Sequence, residues 1–227
     1  MNQNILTVKN LTVTYENKPT PAVDDLSFEL RRGEALGLFG RSGCGKSTVA
    51  WTVMGIIERL GGRTEGQVFF DDNSLLEMPA KDWREVRWKQ IAIVPQSSMS
   101  SLNPVFKIRR TLMETMKFHK PDIDDSDAEN NCKELIDMVF LESKVLDSYP
   151  HELSGGMKQR VSIALAVMLD PPLLLLDEAT TGLDVVVEAD ILYALRRIRR
   201  DKGMSMLMIS HDARIHDAFC DRRIYMQ

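Results

Sequence analysis

Alternating runs open the chain, and continuous apolar runs dominate its later part. Leu11, Val13 and Tyr15 alternate with threonines, and Leu26, Phe28 and Leu30 alternate again after a proline-marked turn at 19–21, which predicts antiparallel strands with one buried face. Residues 35–39 are apolar throughout and predict a strand buried on both faces, running through a glycine-rich turn into a helix from 46 to about 57. Gly61, Gly62 and Gly66 predict a break before a short strand at 67–70, the stretch 79–89 reads as helix, and 91–94 as an apolar strand. Residues 105–148 read as helices, with Ser126-Asp127-Ala128-Glu129 as a capping box and Ala128, Cys132, Leu135 and Val139 as an apolar stripe. Beyond Pro150 the pattern alternates: a helix opening at Ser154 and running to about 169, a strand at 173–176, a helix at 185–200, a strand at 204–209, then a last helix and strand. That alternation predicts a mostly parallel sheet flanked by helices.

Composition narrows the class. At 227 residues and 44% hydrophobic the chain can bury a full α/β core, as one domain or one domain plus a lobe. Its net charge of −4 offers no global attraction to nucleic-acid phosphates or anionic lipid. Cys44, Cys132 and Cys220 are far apart and lack C-x-x-C spacing, so neither a disulfide framework nor a zinc site is indicated, and a reducing compartment fits. The first residues alternate polar and apolar and do not read as a signal peptide, and no apolar run approaches the length of a membrane span, so a membrane role must come through a partner. The acidic cluster at 122–127 reads as a solvated loop. Arg196, Arg197, Arg199 and Arg200 lie in the last turns of a helix whose Ile191, Leu195 and Ile198 face inward, so they complement the helix dipole.

Gly40-Arg41-Ser42-Gly43-Cys44-Gly45-Lys46-Ser47-Thr48 fits G-x-x-x-x-G-K-[ST], between a buried strand and a helix start, the context the motif requires. Glycines let backbone N–H groups turn inward toward phosphate oxygens, the helix N-terminus adds positive potential, Lys46 supplies a mobile cation, and Ser47 is placed to ligate Mg²⁺. ATP with Mg²⁺ is the expected ligand. Cys44 lies inside this loop, where oxidation would block ATP, although a small residue that merely fits the turn is the better account of it. The buried run Leu173-Leu174-Leu175-Leu176 ends in Asp177-Glu178, at the carboxyl end of a strand, where open α/β sheets bind ligands. Beside the loop, Asp177 would hold Mg²⁺ through water and Glu178 would polarise the water attacking the γ-phosphate. Alone, such a pair also serves to cap the segment that follows.

Leu153-Ser154-Gly155-Gly156-Met157, followed by Lys158-Gln159-Arg160, resembles the signature segment of the ABC ATPase family. From its residues alone Ser154 is an ordinary helix N-cap. The resemblance implies a second anion site, made by Ser154, Gly155 and Gly156, which receives the γ-phosphate of an ATP bound by a partner subunit, so that two subunits pair head to tail. Thr180-Thr181-Gly182-Leu183-Asp184 resembles the family's D-loop, with Gly182 where relatives often carry alanine and Asp184 in place to cross the interface. Ile209-Ser210-His211-Asp212 looks like the switch-histidine segment, which makes His211 a donor to the γ-phosphate; a lone histidine is otherwise more often structural. Gln96, just past the strand at 91–94, can offer a carbonyl to Mg²⁺ and an amide to the attacking water or be a plain surface loop glutamine, and it resembles the glutamine-loop residue that links ATP to the transport partner. Tyr15 suits core packing beside Leu11 and Val13, whereas the resemblance assigns it to stacking on adenine.

The segment from Gln96 to Pro104, with Tyr149-Pro150-His151-Glu152 and Asp184-Val185-Val186-Val187-Glu188-Ala189, looks like the ATPases of peptide and nickel importers. Val94-Pro95 stands where that branch commonly has an aromatic residue, and the sequence ends at Gln227 without the C-terminal extension many relatives carry. The resemblance runs from about 6 to 226. It implies an α/β P-loop NTPase: a core at 1–95 and 160–227, with a mostly parallel sheet and an N-terminal antiparallel β-subdomain, and an inserted, mainly helical signature lobe at 96–159. It implies ATP hydrolysis powering an importer of peptides, nickel or metal chelates. The partners would be a second ATPase subunit, identical or paralogous, two transmembrane permease subunits and, indirectly, an extracytoplasmic solute-binding protein, with no nucleic acid, at the cytoplasmic face of the inner membrane. Two rival readings exist. ABC ATPases that act on nucleic acid or ribosomes usually carry coiled-coil insertions or two halves in one chain, and a regulatory subunit without turnover is opposed by the presence of Glu178, His211 and Ser154.

Overall fold

A computed structural model describes residues 3–16, 18–96 and 102–226. Two sheets carry the fold. The first is antiparallel: β1 (Asn4–Tyr15), β2 (Val23–Arg31), β4 (Gly62–Phe70) and β5 (Asn73–Ser74), in the order β2-β1-β4-β5. The second is parallel throughout: β3 (Ala35–Gly40), β6 (Ile91–Val94), β7 (Leu173–Asp177), β8 (Ser205–Ser210) and β9 (Arg222–Met226), in the order β6-β7-β8-β3-β9.

The parallel sheet divides the core by its two-residue period. Leu174, Leu176, Met206 and Met208 pack on one face with the helices α3 (Ile108–His119), α4 (Asp125–Met138), α5 (Gly155–Val167) and α6 (Val185–Lys202). Leu173, Leu175, Leu207 and Ile209 pack on the other, with α1 (Lys46–Val53) and the antiparallel sheet. All residues of β7 and β8 are buried, which is why these strands read as unbroken apolar runs. A last helix, α7 (Ala213–Phe219), leads into β9. The helices between β6 and β7 have their own bracing: Arg109 on α3 pairs with Glu129 on α4 and with Asp147 beyond it, at 3.0 Å for the latter.

Four local expectations are corrected. The strand expected at 67–70 after a glycine break is longer, because β4 starts at Gly62 and runs through Gly66 at φ 97°. A Cβ at Gly66 would lie 2.3 Å from the Asn10 carbonyl oxygen, so the glycine lets β1 and β4 pass at a bulge where Asn10 also takes a positive φ. The helix predicted for 79–89 is a single turn, α2 (Trp83–Val86), because Arg87 turns extended and donates to the Met54 and Gly55 carbonyls at 3.0 and 2.9 Å. The helix after the glycine loop stops at Val53, with Gly55 in the left-handed region, so it falls short of 57. The capping box at Ser126 is absent: Asp124 caps α4 by accepting from the Asp127 N–H at 2.8 Å, and Ser126 lies within the helix. The predicted stripe of Ala128, Cys132, Leu135 and Val139 is buried as expected.

Candidate functional site

The glycine loop joins β3 to α1. Gly43 and Gly45 take φ values of 84° and 94°, and a Cβ on Gly45 would lie 1.9 Å from the Ala22 carbonyl oxygen, so the sharp reversal requires a glycine there. No side chain caps α1, which leaves its first N–H groups turned toward the loop, as an anion site needs. Lys46 is buried, and its Nζ donates to the Gly40 and Arg41 carbonyls at 2.8 Å each, with the Cys44 Sγ at 3.8 Å. The ammonium is thus held on backbone oxygens that a phosphate oxygen can replace.

The order of the parallel sheet assembles the remaining chemistry. β6, β7 and β8 are neighbours, so the residues just past their carboxyl ends meet: Gln96, Glu178 and His211. Glu178 Oε2 accepts from Gln96 Nε2 at 3.0 Å and from Thr181 Oγ1 at 3.3 Å, while Oε1 lies 3.2 Å from His211 Nδ1. Glu178 takes φ 48°, a left-handed conformation uncommon outside glycine, and its N–H donates to the Ile209 carbonyl at 2.9 Å. With His211 Nδ1–H donating to Glu178, the ring can donate to a second partner only when both nitrogens carry protons.

Asp177, at the end of β7, is 2% exposed and accepts from Ser47 Oγ at 2.9 Å. Burial raises its carboxyl above the ordinary aspartate value, and the Ser47 hydrogen bond pulls it part of the way back. Two oxygen donors side by side, one a buried carboxylate with little else to neutralise it, suit a hard divalent cation. Among the described residues no group of three His, Cys, Asp or Glu side chains is placed to hold a metal. A cation here needs phosphate or water oxygens to complete its shell, the arrangement Mg²⁺ favours with nucleotides.

A cavity of about 810 Å³ runs from this cluster along α1. Gly43, Gly45, Lys46, Ser47 and Thr48 line one part, with Gln96 and Glu178 beside them, while Tyr15, Lys18, Trp51, Ile56 and Leu60 line the rest. Tyr15 closes β1 opposite Gly62, and its side chain both packs on the core and faces this cavity. Gly40 and Arg41 contribute carbonyls to Lys46 and do not line the cavity, and neither does Cys44. Sequence reasoning missed Lys18, Ala22, Trp51, Ile56 and Leu60 in the cavity wall, and placed Thr181 in the D-loop without its hydrogen bond to Glu178. The spacing of Trp51 four residues past Ser47 was a legible signal, because both then share a helix face; Leu60 and Lys18 reach the cavity from separate turns and gave none.

Ser154, Gly155, Gly156 and Asp184 are not in this cavity. Ser154 Oγ caps α5 by accepting from Met157 N–H at 3.3 Å, and Asp184 Oδ1 caps α6 by accepting from Val186 and Val187 N–H at 3.1 and 2.9 Å. The two capped ends lie together, with Val187 against Gly156. Of the importer-type segment, residues 97–101 lie outside the described residues. The α6 arginines serve structure: Arg199 donates to the Gly33 carbonyl at 2.7 Å and pairs with Asp221, and Arg197 and Arg200 pair with Asp201.

Comparison with known proteins identifies the family. A family model described as "ABC transporter" matches residues 23–181. The oligopeptide transport ATP-binding protein OppD of Escherichia coli is 38% identical over 98% of the chain, which spans 66% of that protein, somewhat under two thirds of its length. The oligopeptide transport ATP-binding protein AppD of Bacillus subtilis is 35% identical over 98% of the chain and 69% of its own length. The metal-staphylopine import ATP-binding protein CntD of Staphylococcus aureus is 37% identical, covering 98% of the chain and 82% of its own. Among solved structures, the dimeric ATP-binding cassette MJ0796 in a post-hydrolysis state with ADP and Pi superimposes with a TM-score of 0.84 at 26% identity, over 98% of this chain and 94% of that one. With a sequence match over most of its length and the nucleotide-loop geometry to accompany it, the chain belongs to the ABC transporter family, among its ATP-binding subunits.

Proposed function

We propose that the chain binds MgATP in the cavity beside α1 and hydrolyses it to drive an importer of peptides, nickel or metal chelates. The observation that carries this is the meeting of Gln96, Glu178 and His211 at three adjacent strand ends, next to Lys46 and Ser47. Phosphoryl transfer to water needs a positioned nucleophile and stabilised charge more than covalent chemistry, and this cluster supplies both. The loop N–H groups and Lys46 hold the β- and γ-phosphates. Ser47, Asp177 and, through its carbonyl, Gln96 would hold Mg²⁺, which when bound neutralises charge on the phosphate oxygens. Glu178 orients the attacking water and takes up its proton, while His211 and the Gln96 amide hold the γ-phosphate and the water in line. Gln96, Thr181 and His211 all reach the Glu178 carboxylate, which fixes it at the strand ends where the attacking water would stand.

The second half of the active arrangement is read from what this cavity lacks. Ser154, Gly155 and Gly156 at the N-terminus of α5 lie apart from it, a second anion site that a partner subunit's nucleotide would fill, with Asp184 at the neighbouring N-terminus of α6 crossing the interface. A head-to-tail pair of such subunits, docked through the segment after Gln96 on two permease subunits that receive solute from an extracytoplasmic binding protein, completes the reading. No helix among the described residues is long and apolar enough to cross a membrane, so attachment at the cytoplasmic face is peripheral in this reading. The core and lobe boundaries expected at 95–96 and 159–160 form part of the same proposal. Turnover of ATP by the chain co-purified with its membrane partners tests it: Mg²⁺-dependent phosphate release is expected, and its absence with nucleotide still bound would favour a regulatory subunit.

A further inference from the structure

The nucleotide cavity has two chemically different parts. Ser47, Thr48 and Trp51 all line it from α1, and Trp51 stands one turn beyond Ser47, about 6 Å along the helix axis. Apart from Lys18, the side chains grouped with Trp51 are apolar or aromatic: Ile56 is partly buried, and Leu60 is 48% exposed, an unusual display for a leucine inside a recess. Tyr15 reaches the same part from the end of β1, with Lys18 Nζ 5.7 Å from its ring centroid. No carboxylate or amide side chain among the described residues lines this part; Gln96 and Glu178 stand with the phosphate loop. A surface of this composition binds a flat, weakly polar group by stacking and area, without reading its edges by hydrogen bonds.

We propose that Trp51 is a second aromatic platform for the nucleobase, separate from Tyr15, and that it is a specificity-determining residue: it sets how much tighter a nucleotide binds than the bare phosphate chain. The inference rests on the nucleotide reading of the cavity. Because the platform acts through area, it favours purines over inorganic phosphates and does not discriminate adenine from guanine.

Titration calorimetry on the full chain with Mg²⁺, using ADP and pyrophosphate as probes, separates the two parts of the cavity without turnover. Trp51→Ala is expected to weaken ADP about tenfold, within the range for loss of one aromatic platform under a base, and to leave pyrophosphate unchanged. Trp51→Phe should restore most of the ADP affinity. Trp51→Leu keeps apolar volume in the partly buried position; should the alanine variant not fold, the leucine variant must show the same selective loss. Equal weakening of both probes, or of neither, would overturn the inference, as would wild-type chain that binds pyrophosphate as tightly as ADP. Wild-type chain that binds neither probe would sink the nucleotide reading itself.

Discussion

Individual side chains in the site trade stability for chemistry, and Asp177 shows this best. Its carboxyl is buried, and burial raises its pKa above that of a free aspartate, so the folded chain binds its proton more tightly than the unfolded chain does. The sign follows: the folded state is favoured in acid, where Asp177 is protonated in both states, and loses stability as pH rises from the unfolded pKa through the raised folded one. Asp177→Asn removes that charge while leaving an oxygen for Ser47, so at pH 7 without nucleotide the variant should melt a few degrees higher than wild type. The gap should close as the pH falls into the carboxylate range, and Mg²⁺-dependent turnover should be lost at every pH. A thermal melt showing the variant less stable at pH 7 would contradict this account. Glu178 calls for a different test. Glu178→Gln keeps the size of the side chain and an oxygen for its donors but removes the proton acceptor, so turnover should fall at least about a hundredfold while ATP affinity holds. Parallel loss of binding and turnover would mean that Glu178 holds the site together and takes no part in the chemistry.

At the scale of elements, the packing of α5 on α6 turns on one glycine. A helical glycine normally invites alanine, which gains roughly 1 kcal/mol in helix propensity. At Gly156 the added methyl would lie 2.4 Å from Val187 Cγ1, and a β-branched side chain has little freedom to turn away. Overpacking of this kind costs about 1–3 kcal/mol, which exceeds the propensity gain, so Gly156→Ala should lower the denaturation midpoint. The double change Gly156→Ala with Val187→Ala should recover most of it, and failure to recover would place the strain elsewhere. What could be read in the sequence divides along similar lines. The strands β3, β7 and β8 were legible because burial on both faces leaves continuous apolar runs, and the glycine loop because its residue types are needed for their backbone shape. The extent of β4 was not, because Gly66 is a strand residue only by virtue of Asn10 opposite it, a neighbour 56 positions away in sequence. The single turn of α2 was likewise hidden, since Arg87 leaves the helix to reach carbonyls at the end of α1. The site followed the same rule: motif positions were visible, whereas Leu60 and Lys18 became cavity walls only once β1, α1 and the turn after it came together.

For the molecule as a whole, the decisive question is where the second phosphate contact comes from. Lys46 and Ser154 do not share a cavity in one chain, and Val185 and Val186, beside the capped end of α6, are each 71% exposed, the kind of apolar surface an interface covers. If each nucleotide is held by Lys46 of one chain and Ser154 of another, the two groups can be disabled in different chains and still leave one complete site. Lys46→Ala chain and Ser154→Arg chain, each inactive alone, form mixed pairs in which one site carries both defects and the other carries neither. Random mixing makes about half the pairs mixed, so activity should return to roughly a quarter of wild type if the two sites act independently, and to less if they are coupled. A chain carrying both changes supplies the control, since mixing it with either single variant leaves no intact site. Within a single-chain site every molecule in the first mixture is defective, and no activity can return. Recovery above the sum of the separate variants therefore distinguishes a composite site from a self-contained one without any knowledge of the transported solute.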